Sequence, residues 1–129
     1  MSTVLFKLGK DKETIYGFEG AIECGAQNIN WLKKNFQLYD SFDEMTELAK
    51  GVPDNSKVLF IPSFSGVFSP YWSTKIAGTI FGLTLQSTKA NLIRATIEGI
   101  CLRNRDVIEC MKSVSGKNIA KMRVDGGVT

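Results

Sequence analysis

Residues Gly78–Glu98 read GTIFGLTLQSTKANLIRATIE, and their patterning changes from that of a strand to that of a helix part-way along. Thr79–Thr84 is β-prone, with Gly78 and Gly82 permitting close backbone packing. From Leu92 an apolar stripe opens at helical spacing: Ile93, Ile97, Ile100, Val107, Ile108 and Met111 recur at three- and four-residue steps. The spacing predicts a helix from about Thr88 to Val114, with Gly116 just past its end. At ~1.5 Å per residue it would run about 40 Å and form the spine of the domain.

Working outward, Val58–Ile61 is a continuous apolar run, as expected of a strand covered on both faces, and Pro62 ends it. The segment SFSGVFSPYW that follows is a loop, whose Phe64, Phe68, Tyr71 and Trp72 are expected to cover the core. Upstream, Ser41 and Glu44 have capping-box spacing and open a helix through Met45, Leu48 and Ala49, stopped by Gly51 and Pro53. From Ala21, residues Ile22, Gly25, Ala26, Ile29, Leu32 and Phe36 predict another amphipathic helix. Thr3–Lys7 and Thr14–Phe18 flank the polar turn GKDK and read as a hairpin. Downstream, Lys121–Asp125 reads as a last strand, with Gly126 and Gly127 turning out of it. The order β-β-α-α-β-β-α-β gives one α/β domain over residues 1–129, with a mixed sheet and helices packed on it.

The composition excludes much. The 129 residues contain no histidine, which removes Ser-His-Asp triads, Cys-His pairs and HExxH metal sites from this chain. Cys24, Cys101 and Cys110 are odd in number and lack CxxC spacing, so neither a closed disulfide framework nor a zinc site is indicated. A net charge of +3, scattered along the chain, argues for neither nucleic acid nor a membrane surface as a partner. With no apolar run near the ~20 residues a bilayer span needs and no secretory pattern at Met1, a cytoplasmic location is expected.

The fixed order Gly78, Ile80, Gly82, Leu83, then Asn91, Leu92, Ala95, Thr96, Ile97 and Glu98 resembles the second signature of the FGGY carbohydrate kinases. Other segments resemble the glycerol-specific branch of that family in its own order. These are YGFEGAI, WLKKNF, IPSFSGVFSPYW, IRATIEGICLRNRDVIECM and MRVDGGVT, in register over nearly the whole chain. The resemblance implies part of the second, nucleotide-binding domain of an actin-like (ribonuclease H-like) kinase that moves the γ-phosphoryl of ATP to glycerol, with Mg as the accompanying ion. It also implies an incomplete piece. The family's Asp-Gln-Gly-Thr phosphate motif and its Gly-Asp-Gln-Gln catalytic segment have no counterpart here, so the isolated chain is expected to be inactive.

By the same resemblance, the surviving site is the adenine side of an ATP/ADP pocket, formed by Ala26, Asn30, Gly126 and Gly127. Gly126 and Gly127 lack Cβ atoms, so a purine could lie against the backbone there. Ala26 and Asn30 share a helix face four residues apart. Ala26 stands where the family has glycine and Asn30 where it has glutamine, which would shift or weaken the adenine contact; Gly25 could supply the close approach instead. Ile76 and Ala77 replace an Ala-Arg pair. Asp125, at a strand end beside two glycines, reads as a turn-stabilising side chain rather than a base. Two alternatives are a non-catalytic adenine-nucleotide-binding module and an assembly element that pairs with another chain as an oligomer through unpaired strand edges.

Overall fold

The computed structural model describes residues 1–53 and 57–126. Seven elements follow one another: β1 (Ser2–Lys7), β2 (Thr14–Phe18), α1 (Ala26–Phe36), α2 (Phe42–Lys50), β3 (Leu59–Ile61), β4 (Thr79–Phe81) and α3 (Lys89–Ser115). This is the α/β class expected, but the strands pair differently. β1 pairs antiparallel with β2, and β3 antiparallel with β4, giving two separate two-stranded ladders among the described residues rather than one mixed sheet.

α3 begins where its capping signals stand. The Thr88 backbone N–H donates to Asn91 Oδ1 at 2.9 Å, part of a capping box, and the helix ends on Gly116 with φ 64°. Its buried face is rotated slightly from the expected stripe. Ile93, Thr96, Ile100, Arg103 and Val107 are buried, whereas Ile97, Ile108 and Met111 are only half-buried. Gly99 explains how closely α3 lies on β3: a Cβ there would collide with the Phe60 carbonyl oxygen.

α3 serves two apolar clusters. One holds Ile29 and Leu32 of α1, Tyr39 of the connecting turn, Met45 and Ala49 of α2, and Ile93 and Ile100. Tyr39 donates its hydroxyl to the Ile29 carbonyl at 2.6 Å, and burial pushes its phenol pKa up. The second cluster joins Val58 and Phe60 to Ala95. Trp31 bridges toward it, stacked on Phe60 at 6.4 Å and tilted against Phe64 at 4.7 Å. Phe64 therefore helps to cover the core as expected, while Tyr71 and Trp72 are largely exposed.

α2 starts on Ser41, whose Oγ accepts from the Glu44 N–H at 3.1 Å. The returning bond falls one residue upstream of a regular capping box, from the Asp40 N–H to Glu44 Oε2 at 2.8 Å. Lys89 pairs with Glu44 Oε1 at 3.1 Å and ties the start of α3 to α2. The Asp40 N–H and then Lys89 hold the Glu44 carboxyl below its ordinary value.

Four features differ from the sequence reading. α1 starts at Ala26 rather than Ala21, because Gly25 leaves helical geometry at φ −80° and ψ −94°. β4 stops at Phe81 because Gly82 has φ 76°, a turn in which an added Cβ would meet the Lys57 carbonyl. β3 is covered on one face only: Phe60 is buried while Leu59 and Ile61 are exposed. Lys121–Asp125 is exposed and forms no ladder among the described residues. An apolar alternation such as Met122 and Val124 becomes a strand only beside a partner edge. No helix among the described residues is long and apolar enough to cross a membrane.

Candidate functional site

A cleft of ≈ 780 Å³ opens between the start of α1, the middle of α3 and the extended segment ending at Gly126. Ile29, Ile97, Ile108 and Val124 contribute apolar wall, a surface suited to the flat face of a base or a comparable apolar ring. Gly25, Ala26 and Gly126 contribute small residues and bare backbone; a Cβ placed on Gly25 or Gly126 would meet nothing within 4 Å. Asn104, Arg105, Glu109 and Asp125 supply the polar groups.

Ala26 and Gly126, far apart in the chain, thus line one space. Asn30 does not: it is exposed and lies outside the cleft walls, where Ile29 stands instead. Asn30 sits a full turn further along α1 than Ala26, the first helical residue. Gly127 lies outside the described residues.

The start of α1 is electrostatically open. Gly25 caps it without a side-chain hydrogen bond, and no acidic residue occupies the first turn. The partial positive charge of the helix terminus is therefore unmasked by its own first turn. Asn28, fully buried, donates its amide back to the Cys24 carbonyl and braces the turn before the helix. Burial, and then the Glu23 charge, raise the Cys24 thiol pKa, so this group is a poor nucleophile.

On the facing wall, Lys112, hydrogen-bonded at 2.9 Å, and then the more distant Arg105 hold the Glu109 carboxyl below its ordinary value. Asp125 Oδ1 accepts from the Gly126 N–H at 2.8 Å, a turn-stabilising bond. Among the described residues no group of three or more carboxylate or thiol residues could hold a metal ion.

Sequence reasoning took α3 as core alone and missed its part in the cleft. Ile97, Cys101, Asn104, Arg105 and Ile108 all line it. Their three- and four-residue spacing was the available signal: a half-polar stripe running beside the buried one.

Residues 3–129 match the FGGY family of carbohydrate kinases, C-terminal domain. The chain belongs to this family. It is similar to a glycerol kinase of Mycobacteroides abscessus, 38% identical over 129 residues, covering 100% of this chain and 25% of that protein. A glycerol kinase of Streptomyces avermitilis is 40% identical over the same length, with the same coverage. A probable glycerol kinase of Dictyostelium discoideum is 35% identical over 128 residues, covering 99% of this chain and 24% of that one. The chain thus spans about a quarter of the length of these relatives. Among solved structures, Plasmodium falciparum glycerol kinase with ADP superposes with a TM-score of 0.83 at 26% identity, covering 92% of this chain and 23% of that one. A ligand-bound xylulose kinase of Lactobacillus acidophilus follows at 0.64 and 26%, covering 71% and 19%. The FGGY domain seen here is accordingly of the actin-like ATPase type expected.

Proposed function

We propose that this FGGY domain contributes the adenosine side of a glycerol kinase, a protein that moves the γ-phosphoryl of ATP to glycerol and yields glycerol 3-phosphate and ADP. The observation that carries the reading is that Ala26 and Gly126 line a single cleft with apolar walls. The Plasmodium relative, solved with ADP, and the glycerol kinases matched along the whole chain support it.

In this reading the base lies between the start of α1 and α3, against Ala26 and Gly126. Asn30 takes part only if the nucleotide extends past Ile29. Phosphoryl transfer needs positioned groups around the phosphates and a residue orienting the attacking hydroxyl. Glu109 is engaged by Lys112 and Asp125 by its own turn, and neither acts as a base in this reading. The chain by itself is therefore a binding element, and transfer belongs to the whole protein.

Adenosine and ADP titrations, followed by Trp31 fluorescence and by amide shifts of Gly25 and Gly126, test the proposal. A saturable response with shifts at both glycines is expected, together with no glycerol 3-phosphate in a coupled assay of the chain alone. Absence of saturation would remove the nucleotide reading. The second reading, an assembly element, is favoured by the exposed apolar side chains of β1 and β2, Val4, Leu5, Phe6 and Tyr16. Sedimentation of a compact monomer over a wide concentration range would count against it.

A further inference from the structure

Next to the cleft, sharing Ile22 and Ile100 with it as walls, is a small void of ≈ 10 Å³. Two oppositely charged residues line it: Glu23, on the segment leading into α1, and Arg103, buried on α3 at 9% exposure. They make no direct ion pair. The Arg103 guanidinium donates to Asp106 Oδ2 at 2.9 Å and to the Ser69 carbonyl at 2.8 Å, and its carbon lies 5.3 Å from the Tyr71 ring centre. Of the five N–H donors a guanidinium carries, those two bonds commit two. Glu23 Oε2 is buried and receives no hydrogen bond from any described group. A carboxylate oxygen shut away from water without a donor is costly. The void has about the volume that a single water needs, and polar partners stand on two sides of it.

We propose that one water molecule occupies this void and bridges the Glu23 carboxylate to the Arg103 guanidinium. The water-linked pair latches the segment before α1 to α3, and Arg103 passes the connection on to the Ser69 carbonyl. Glu23 and Arg103 are then positioning residues. Because Ile22 and Ile100 face both spaces, the latch also sets how far Gly25 and Ala26 stand from α3; this last consequence rests on the nucleotide reading above.

Two measurements test it. A crystal structure of the chain is expected to show one ordered water within about 2.7–3.2 Å of both Glu23 Oε2 and an Arg103 nitrogen. An empty void, or Glu23 turned to solvent, would overturn the proposal. The second measurement is a double-mutant cycle in thermal midpoint with Glu23→Gln and Arg103→Met, or Arg103→Lys if the methionine variant fails to fold. Glu23→Gln is expected to lower Tm by about 4 °C or more in the native background and by much less once Arg103 is changed. Additive shifts would sink the latch.

Adenosine affinity separates the latch from the site. Glu23→Gln is expected to weaken binding by roughly tenfold. Wild-type chain that binds no adenosine removes the nucleotide reading and leaves the latch to the cycle and the density. Adenosine bound equally by both forms, with additive midpoints, removes the latch and leaves the site.

Discussion

The helical half and the strand half of this domain are built to different degrees of self-sufficiency. α1, α2 and α3 close around Ile29, Leu32, Tyr39, Met45 and Ile93, and each helix satisfies its interior backbone bonds within itself. β1–β2 and β3–β4 are two-stranded ladders whose outer edges are unpaired among the described residues, with Leu5, Phe6, Leu59 and Phe81 exposed. A helix needs a neighbour only for its apolar stripe. A strand needs one for its backbone as well, and two strands alone are marginal. The stability of the isolated chain should therefore reside in the helical cluster and at the seam where α3 meets β3.

The sharpest way to break that contrast is Ile93→Ala, at a side chain 1% exposed at the centre of the helical cluster. It should cost about 2–5 kcal/mol in urea unfolding, since a cavity is added to the lost burial. Gly82→Val tests the seam. A branched side chain at φ 76° against the Lys57 carbonyl should cost about 1–3 kcal/mol and loosen β4 from β3, read as faster amide exchange in Thr79–Phe81.

Ser41→Ala should cost about 1 kcal/mol by removing the cap of α2. The same corner carries a pH signature. Because the folded state lowers the Glu44 pKa, its contribution is fully present above the ordinary value of 4.5 and is lost as pH falls through the lower folded value. A urea midpoint that falls below about pH 4.5 in native protein, and less steeply in Glu44→Gln, is the expected result. The smallest effect is predicted on the strand side. Leu5→Thr, at an exposed β position, should change stability by no more than about 0.5 kcal/mol while reducing self-association in sedimentation. A loss comparable to that of Ile93→Ala would show that the two halves are not unequal after all.

The same contrast governs what could be read from the residues. Thr88 with Asn91, Ser41 with Glu44, and Gly116 are local signals, and each marks a helix end found in the structure. The β1–β2 hairpin was equally legible, since its turn and both strands lie within Ser2–Phe18. Met122 and Val124 mislead because alternation states only a capacity for pairing, and what realises it is a partner distant in sequence. Gly25 fits a helical stripe by spacing, but periodicity cannot reveal the torsion that starts α1 one residue later. For the cleft, Ala26 and Gly126 were named through resemblance, whereas Arg105 and Asn104 went unnamed beside the dominant isoleucine stripe. Glu23, beside Ile22 in the sequence, carries no local signal of burial; it lines a void with Arg103, eighty residues away.

Gly99 lets α3 rest on the Phe60 backbone while the same helix carries Ile93 and Ile100 into the other cluster. One rod is thereby shared by two cores and by a wall of the cleft. Melting either core should disturb the other, so central α3 amides are expected to be among the slowest to exchange with deuterated solvent, and a ligand gripping that wall should slow them further.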